Sequence, residues 1–368
     1  MKRMGVLCAL TALFCVSPAG AQSISLCDYV SPETNLSDLG LSLSYRYFDD
    51  RSTAEVDESG GRLGLAFSQL YDSPDFGFTL DGSAEVLLAG LSPAGGLADG
   101  AGTFRLYLLQ DAPVFGFGGL EALVGTGRPQ PGINLRAGVG YGRFSDVTPM
   151  AKALTIDAEL RKAGAISEPL GGETLMSIAQ EIGRSIEYAS VEELAAEVVS
   201  LIQTATGVTL TPRQVLMVED VILAVGDERR CGLAIEGGLG YQLMDPYGEP
   251  QDLLLTVSAD AAFAPDPESQ LLLRASFSSP FRIMEENVLS LRASYDRTLS
   301  ETSTLLATYS LQRIKPLGGG AGISHAARIT VNFTVGNANT GVQFSLSKAT
   351  DVPAWTVELS VSATMDLF

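Results

Sequence analysis

Apolar and polar residues alternate with a period of two along most of this chain. The last segment is the strictest. Trp355, Val357, Leu359, Val361, Ala363, Met365 and Leu367 fall on one parity, and Thr356, Glu358, Ser360, Ser362, Thr364 and Asp366 on the other. Successive side chains of an extended chain point to opposite faces, so the pattern predicts a strand with one apolar and one wet face. Comparable runs open near Leu41, Leu63, Phe76, Phe104, Ile133, Leu233, Leu253, Leu271, Leu289, Leu305, Ile329 and Val342, with a Gly-rich run keyed on Phe115 and Phe117. That makes about fourteen strands, or twelve if one ambiguous hairpin is discounted.

The opposite parity carries Ser, Thr, Gly and charges of both signs. Its basic members are Arg46, Arg105, Arg136, Arg274, Arg292 and Arg328; its acidic ones are Asp81, Glu85, Glu121, Glu236, Asp260, Asp296 and Glu358. A soluble sandwich buries the apolar face and wets the polar one, whereas a membrane barrel turns the apolar face to lipid and encloses the polar one. The second arrangement is expected here, with these charges facing a lumen. The fold class predicted is an all-β transmembrane antiparallel barrel with an α-helical insert between strands 6 and 7.

Between those strands, from about Thr148 to Arg230, the period turns helical. Thr148-Pro149 opens one helix, which Gly164 ends, and a second runs from about Glu173 to Tyr188. Ser190 with Glu193 reads as a capping box for a third, stopped at Gly207, and Thr211-Pro212 opens a fourth, ending at Gly226. Stripes of Leu194, Val198, Val199, Leu201 and Ile202 and of Val215, Leu216, Val218, Val221 and Ile222 are spaced for mutual packing.

The N-terminus has a basic start at Lys2 and Arg3, an apolar run and Ala19-Gly20-Ala21, which together predict a secretory signal peptide cleaved after Ala21. The expected divisions are residues 1–21 (signal), 22–38 (periplasmic N-terminal segment), 39–144 (strands 1–6), 148–230 (periplasmic helical insert) and 231–368 (strands 7–14). The formal net charge is −19, which argues against nucleic acid as a partner. Mean hydropathy is nonetheless positive, at +0.20, so an exported chain with this pattern needs lipid to cover its apolar surface. Cys27 and Cys231 survive cleavage into a compartment that permits disulfides; they are expected on the same side and are a candidate pair, two free thiols being the alternative.

The leader, the dyad repeats over most of the chain and the terminal Phe368 resemble those of bacterial outer-membrane β-barrel proteins, a broad porin-like architecture and not one family. The resemblance implies an outer-membrane location and an assembly signal in the last strand, here Trp355, Leu367 and Phe368, read by the barrel assembly machinery. Phe368 is one residue out of phase with Leu367. Short joins such as "DSPD" and "PDPE" follow even strands and longer ones such as "AGLSPAGGLADGAG" and "MDPYGEPQD" follow odd strands, as expected if both termini are periplasmic.

Residues for catalysis are few. His325 is the only histidine. Outer-membrane lipases place Ser and His two apart on one strand, but position 327 is Ala and Ser324 has the opposite parity, so no nucleophilic dyad forms and no enzyme is expected. "AGVGYG" puts Gly138, Gly140 and Gly142 on the polar parity, where they leave space or allow close backbone approach. No metal spacing and no cofactor motif is present. The expected function is a porin-like channel for small solutes with the insert as cap or docking site. The alternative is a scaffold that anchors a periplasmic partner through residues 148–230, whose thirteen acidic and seven basic residues would favour a basic partner.

Overall fold

The structure, a computed structural model, describes residues 24–365 apart from 32, 49–57, 110–111, 225–227, 248–251, 301, 336–337, 351 and 353. The expected signal peptide and the terminal Leu367 and Phe368 lie outside these residues. The strands are β1 (Thr34–Phe48), β2 (Glu58–Asp72), β3 (Phe76–Ala89), β4 (Ser92–Tyr107), β5 (Val114–Gly125), β6 (Gly132–Asp146) and β7 (Arg230–Met244). They continue as β8 (Leu253–Asp266), β9 (Ser269–Pro280), β10 (Asn287–Ser300), β11 (Ser303–Lys315), β12 (Gly322–Val335), β13 (Ala338–Ala349) and β14 (Thr356–Met365). All fourteen form one antiparallel sheet in chain order. Among the described residues no ladder joins β1 to β14.

Register keeps each parity on its own face. Leu39 faces Phe67, Leu41 faces Leu65 and Leu43 faces Leu63 across the first ladder, and Phe344 faces Leu359 across the last. A slip of one residue would turn a whole strand over, so paired apolar runs specify register strongly. The apolar face is left uncovered: Leu239 in mid-sheet is 46% exposed, and Leu41 and Leu359 on the outermost strands are 75% and 68% exposed. The sheet curls toward its polar face. Thr34 at the start of β1 reaches β6, its hydroxyl donating to the Phe144 carbonyl at 3.3 Å and accepting from the Asp146 N–H at 2.9 Å.

Two strand expectations are corrected. The "AGLSPAGGLADGAG" stretch is not a loop: β3 and β4 meet at a tight turn on Gly90 and Leu91, with Gly90 at φ +60°, and the rest of the stretch is strand. Ala and Gly on both parities hide the alternation there, although the backbone ladder continues. β1 begins at Thr34, so the strand includes residues that the division at 38/39 left in the N-terminal segment.

The insert holds α1 (Thr148–Lys162), α2 (Gly172–Gly183), α3 (Val191–Thr206) and α4 (Pro212–Leu223). Its punctuation follows the sequence. Gly164 and Gly207 sit at φ +68° and +71° behind α1 and α3, where a left-handed residue satisfies the last carbonyls at least cost as glycine. The Ser190 hydroxyl accepts from the Glu193 N–H at 3.3 Å, and Glu193 accepts from the Ala189 N–H at 3.1 Å. α2 stops at Gly183, short of Tyr188, and a 3-10 turn at Ser185–Glu187 follows. The core contains Ile156, Leu160, Ile178, Leu194, Val198, Ile202 and Val218, all buried, whereas Leu216 points to solvent. Lys152 reaches across to donate to the Ile222 carbonyl at 2.6 Å, and burial pulls its ammonium below the ordinary lysine range, against the attraction of Asp146.

The N-terminal segment belongs to this bundle. Leu26 and Tyr29 are buried in its core, and the tyrosine hydroxyl lies where a side chain on Gly183 would start, 2.3 Å from that Cβ position. Beside them the sulfurs of Cys27 and Cys231 stand at bonding distance, 2.00 Å. The bridge spans 204 residues of sequence and ties the segment to the base of β7. Closing a loop that long restricts the unfolded chain by about 5 kcal/mol in the chain-entropy model. The Cys27→Ser, Cys231→Ser double variant should therefore lose its helical circular-dichroism signal about 10 °C or more below the oxidised parent. Coincident melting curves would show that the bridge does not hold the bundle.

Candidate functional site

The polar face divides into two unlike regions. One end of the sheet, which we call the insert end, carries the helices; the far end carries the joins after odd strands. At the insert end the concave face is filled. Leu36, Leu70, Phe144, Ala234 and Ala262, all on the polar parity, form a buried apolar cluster drawn from five strands. Next to it Asp72 accepts from the Tyr107 hydroxyl at 3.0 Å and from the Phe144 N–H at 3.4 Å, with Arg143 Nε 3.3 Å away and the Arg143 guanidinium over the Tyr107 ring.

Deeper in the concavity Arg105 of β4 and Glu236 of β7 form an ion pair at 2.9 Å, with side chains 5% and 6% exposed. Ser258 donates to the second Glu236 oxygen at 3.3 Å, and the Arg105 guanidinium lies 5.4 Å from the centre of the Phe115 ring. Strands three places apart in the sheet are thereby bridged across its concave side. A buried pair like this contributes little net stability over an apolar substitute, but removing one partner strands the other without water.

Phe115 and Phe117 are buried on this face, on the parity of Glu121, and not on the apolar face that their run suggested. Gly116 and Gly118 beside the phenylalanines fit both phases, so alternation could not decide; Leu120 and Val124, half exposed, carry the apolar parity of β5. Gly140 of β6 makes room for the Phe115 ring. A Cβ there would sit 2.4 Å from two ring carbons, and one on Gly138 would sit 2.3 Å from the Gly237 carbonyl oxygen. The glycine run thus serves close approach.

Away from the insert end the polar face is more open, and its charges range from half-buried to exposed. Arg136 lies 3.7 Å from Glu121 and donates to the Thr103 hydroxyl at 2.6 Å; Arg274 pairs with Asp260 at 2.5 Å. Glu85 lies 3.8 Å from Arg62, Glu358 accepts from Ser345 at 3.4 Å, and Asp81 is exposed. Arg292 and Arg328 are exposed and make no ion pair among the described residues. Asp296 instead joins Arg229 of the insert's last join at 3.2 Å, and Arg229 also donates to the Pro267 carbonyl. The side chain of Arg46 lies outside the described residues; its backbone pairs with Gly60.

Asp72, Tyr107, Arg143 and Arg229 escaped the sequence reading. Asp72 is the first residue of the "DSPD" turn sequence although it ends β2, and Arg143 sits one residue after Gly142, whose φ of +121° breaks the simple alternation. A charge at a strand end, beside a glycine, was the available signal.

The apolar face carries aromatic residues at both ends. At the insert end Tyr71 stacks on Phe78 at 5.4 Å and lies tilted against Phe76 at 5.3 Å, and Phe76 stacks on Phe104 at 5.9 Å. At the far end the Tyr309 hydroxyl and His325 Nδ1 are 3.0 Å apart, and Trp355 lies against His325 with the Lys348 ammonium 5.7 Å from its ring. No described helix is long and apolar enough to cross a membrane, which says nothing of strands.

No protein-family model matches the chain, and no curated protein does either.

Arg105→Met or Glu236→Met alone should destabilise the refolded protein by about 3–5 kcal/mol, and the double variant by much less. Urea unfolding of all three in micelles gives the coupling energy; additive single effects would dissolve the claim of a buried pair. Gly140→Ala should displace the Phe115 ring and cost roughly 1–3 kcal/mol by overpacking, read from the same unfolding curves.

Proposed function

We propose that this chain is an outer-membrane β-barrel, closed by pairing of β1 with β14. Its polar face then encloses a water-filled vestibule that opens at the far end and is stoppered at the periplasmic, insert end. One observation carries the membrane reading: an uncovered apolar face spans fourteen strands and is bounded at both ends by aromatic clusters. Lipid is the solvent that such a surface fits, with tyrosine and tryptophan at its two interfaces. Strands of 10 to 16 residues are long enough for the roughly 9–11 that a tilted membrane strand requires. Closure would also remove two long unpaired edges, which otherwise invite aggregation.

Within that barrel the function is a gated, porin-like channel for small solutes. The open far half has a wet, charged wall, and the stopper of Arg105, Glu236, Phe115 and the apolar cluster would have to part for passage. A second reading is an anchor that presents the insert to a periplasmic partner. It is favoured by the disulfide and shared core that bind the N-terminal segment to the bundle.

Single-channel recording of the refolded mature protein in planar bilayers tests the first reading. The parent is expected to conduct rarely, and both the Arg105→Ala, Glu236→Ala double variant and a chain lacking residues 148–229 to conduct more. Silence from all three, with heat-modifiable gel migration confirming folded barrels, would sink the channel and leave the anchor. Failure to enter bilayers at all would sink both.

A further inference from the structure

The wet half of the polar face holds one pocket with an unbalanced charge. It lies at the far end across β10 to β13, encloses about 350 Å³, and is lined by Ser290, Arg292, Ser310, Gln312, Ser324 and Ser347 among others. Its ionisable lining residues are Arg292, His325 and Lys348, and none is acidic. His325 is engaged by Tyr309 and Lys348 by Trp355 on the apolar parity. Arg292 is left as the charge that the pocket itself presents.

Register sharpens the point. Arg292 stands directly opposite Arg274 on β9 and opposite Ser310 on β11. Like charges facing each other across a ladder repel. Arg274 is balanced by Asp260 at 2.5 Å, but no described carboxylate balances Arg292. Two strands further on, Arg328 of β12 faces Thr308 and Ser345, again with no described acid beside it. A guanidinium offers a rigid fork of donors matched to an oxyanion, and the hydroxyls and the Gln312 amide around it suit a polyhydroxylated body.

We propose that this pocket binds a small solute carrying one oxyanion group on a hydroxylated frame, a sugar acid or a sugar phosphate, with Arg292 on the oxyanion and Ser290, Ser310, Ser324 and Gln312 on the hydroxyls. The inference rests on the vestibule of the proposed channel and names the class of solute that it would take.

The test uses the full mature chain refolded in detergent, titrated calorimetrically with glucuronate, glucose 6-phosphate and glucose. Saturable millimolar binding of at least one anion is expected, about tenfold or more tighter than glucose and lowered by a similar factor in Arg292→Gln. Arg62→Gln, which alters a paired arginine on another strand, should leave it unchanged. A preference between the two anions identifies the headgroup as carboxylate or phosphate. Equal binding of glucose, binding indifferent to Arg292→Gln, or no saturable binding by folded protein would each overturn the proposal. Because binding in micelles needs no flux, a silent bilayer experiment and a failed titration remain separate results.

Discussion

Fourteen strands in chain order are joined by ladders that must all keep the same face for their apolar residues, because the side-chain period of a strand is two and a single slip inverts it. That phase constraint underlies the rest of the molecule. It gathers leucine, valine and aromatic side chains on one surface and collects the charged residues on the other. Among the described residues no second layer of protein covers the apolar surface. The curl that brings Thr34 to Phe144 then turns the polar surface into a concavity.

Inside the concavity, burial separates two kinds of charge. Near the insert the arginines and carboxylates have lost water and are held by partners: Arg105 by Glu236, Asp72 by Tyr107 and Arg143. Such groups are costly to unpair, so they act as a fastening between distant strands. Further out the same residue types remain hydrated, and pairs such as Arg62 with Glu85 contribute little. The aromatic filler depends on the backbone beside it, since Phe115 lies against β6 only where Gly140 has no side chain. At the same end the insert is tied to the N-terminal segment by the Cys27 and Cys231 bridge and by Tyr29 in its core.

Where the alternation is strict, strand and face are both legible, as in the Leu41 to Tyr45 and Leu271 to Phe277 runs. Where glycine and alanine dilute it, only one or neither is. The β3–β4 turn at Gly90 reads by composition as the start of a long loop, and the two phenylalanines that suggest the phase of β5 lie on its concave face. Helix boundaries in the insert were nearly all carried by local chemistry, through Pro149, Ser190, Gly207 and Pro212. Leu216 lay on a plausible stripe, yet only the packing of four helices shows which arc of it is covered.

The amino-acid sequence by itself determined a series of about fourteen antiparallel strands, the position of the helical insert and the parity of most of the charged residues. These follow from local period and from turns a few residues long. Only the tertiary structure decided which of those charges meet. Arg105 finds Glu236 131 residues away, and Arg292 is left facing Arg274, because curvature and register, which no local pattern encodes, set the distances across the concave face.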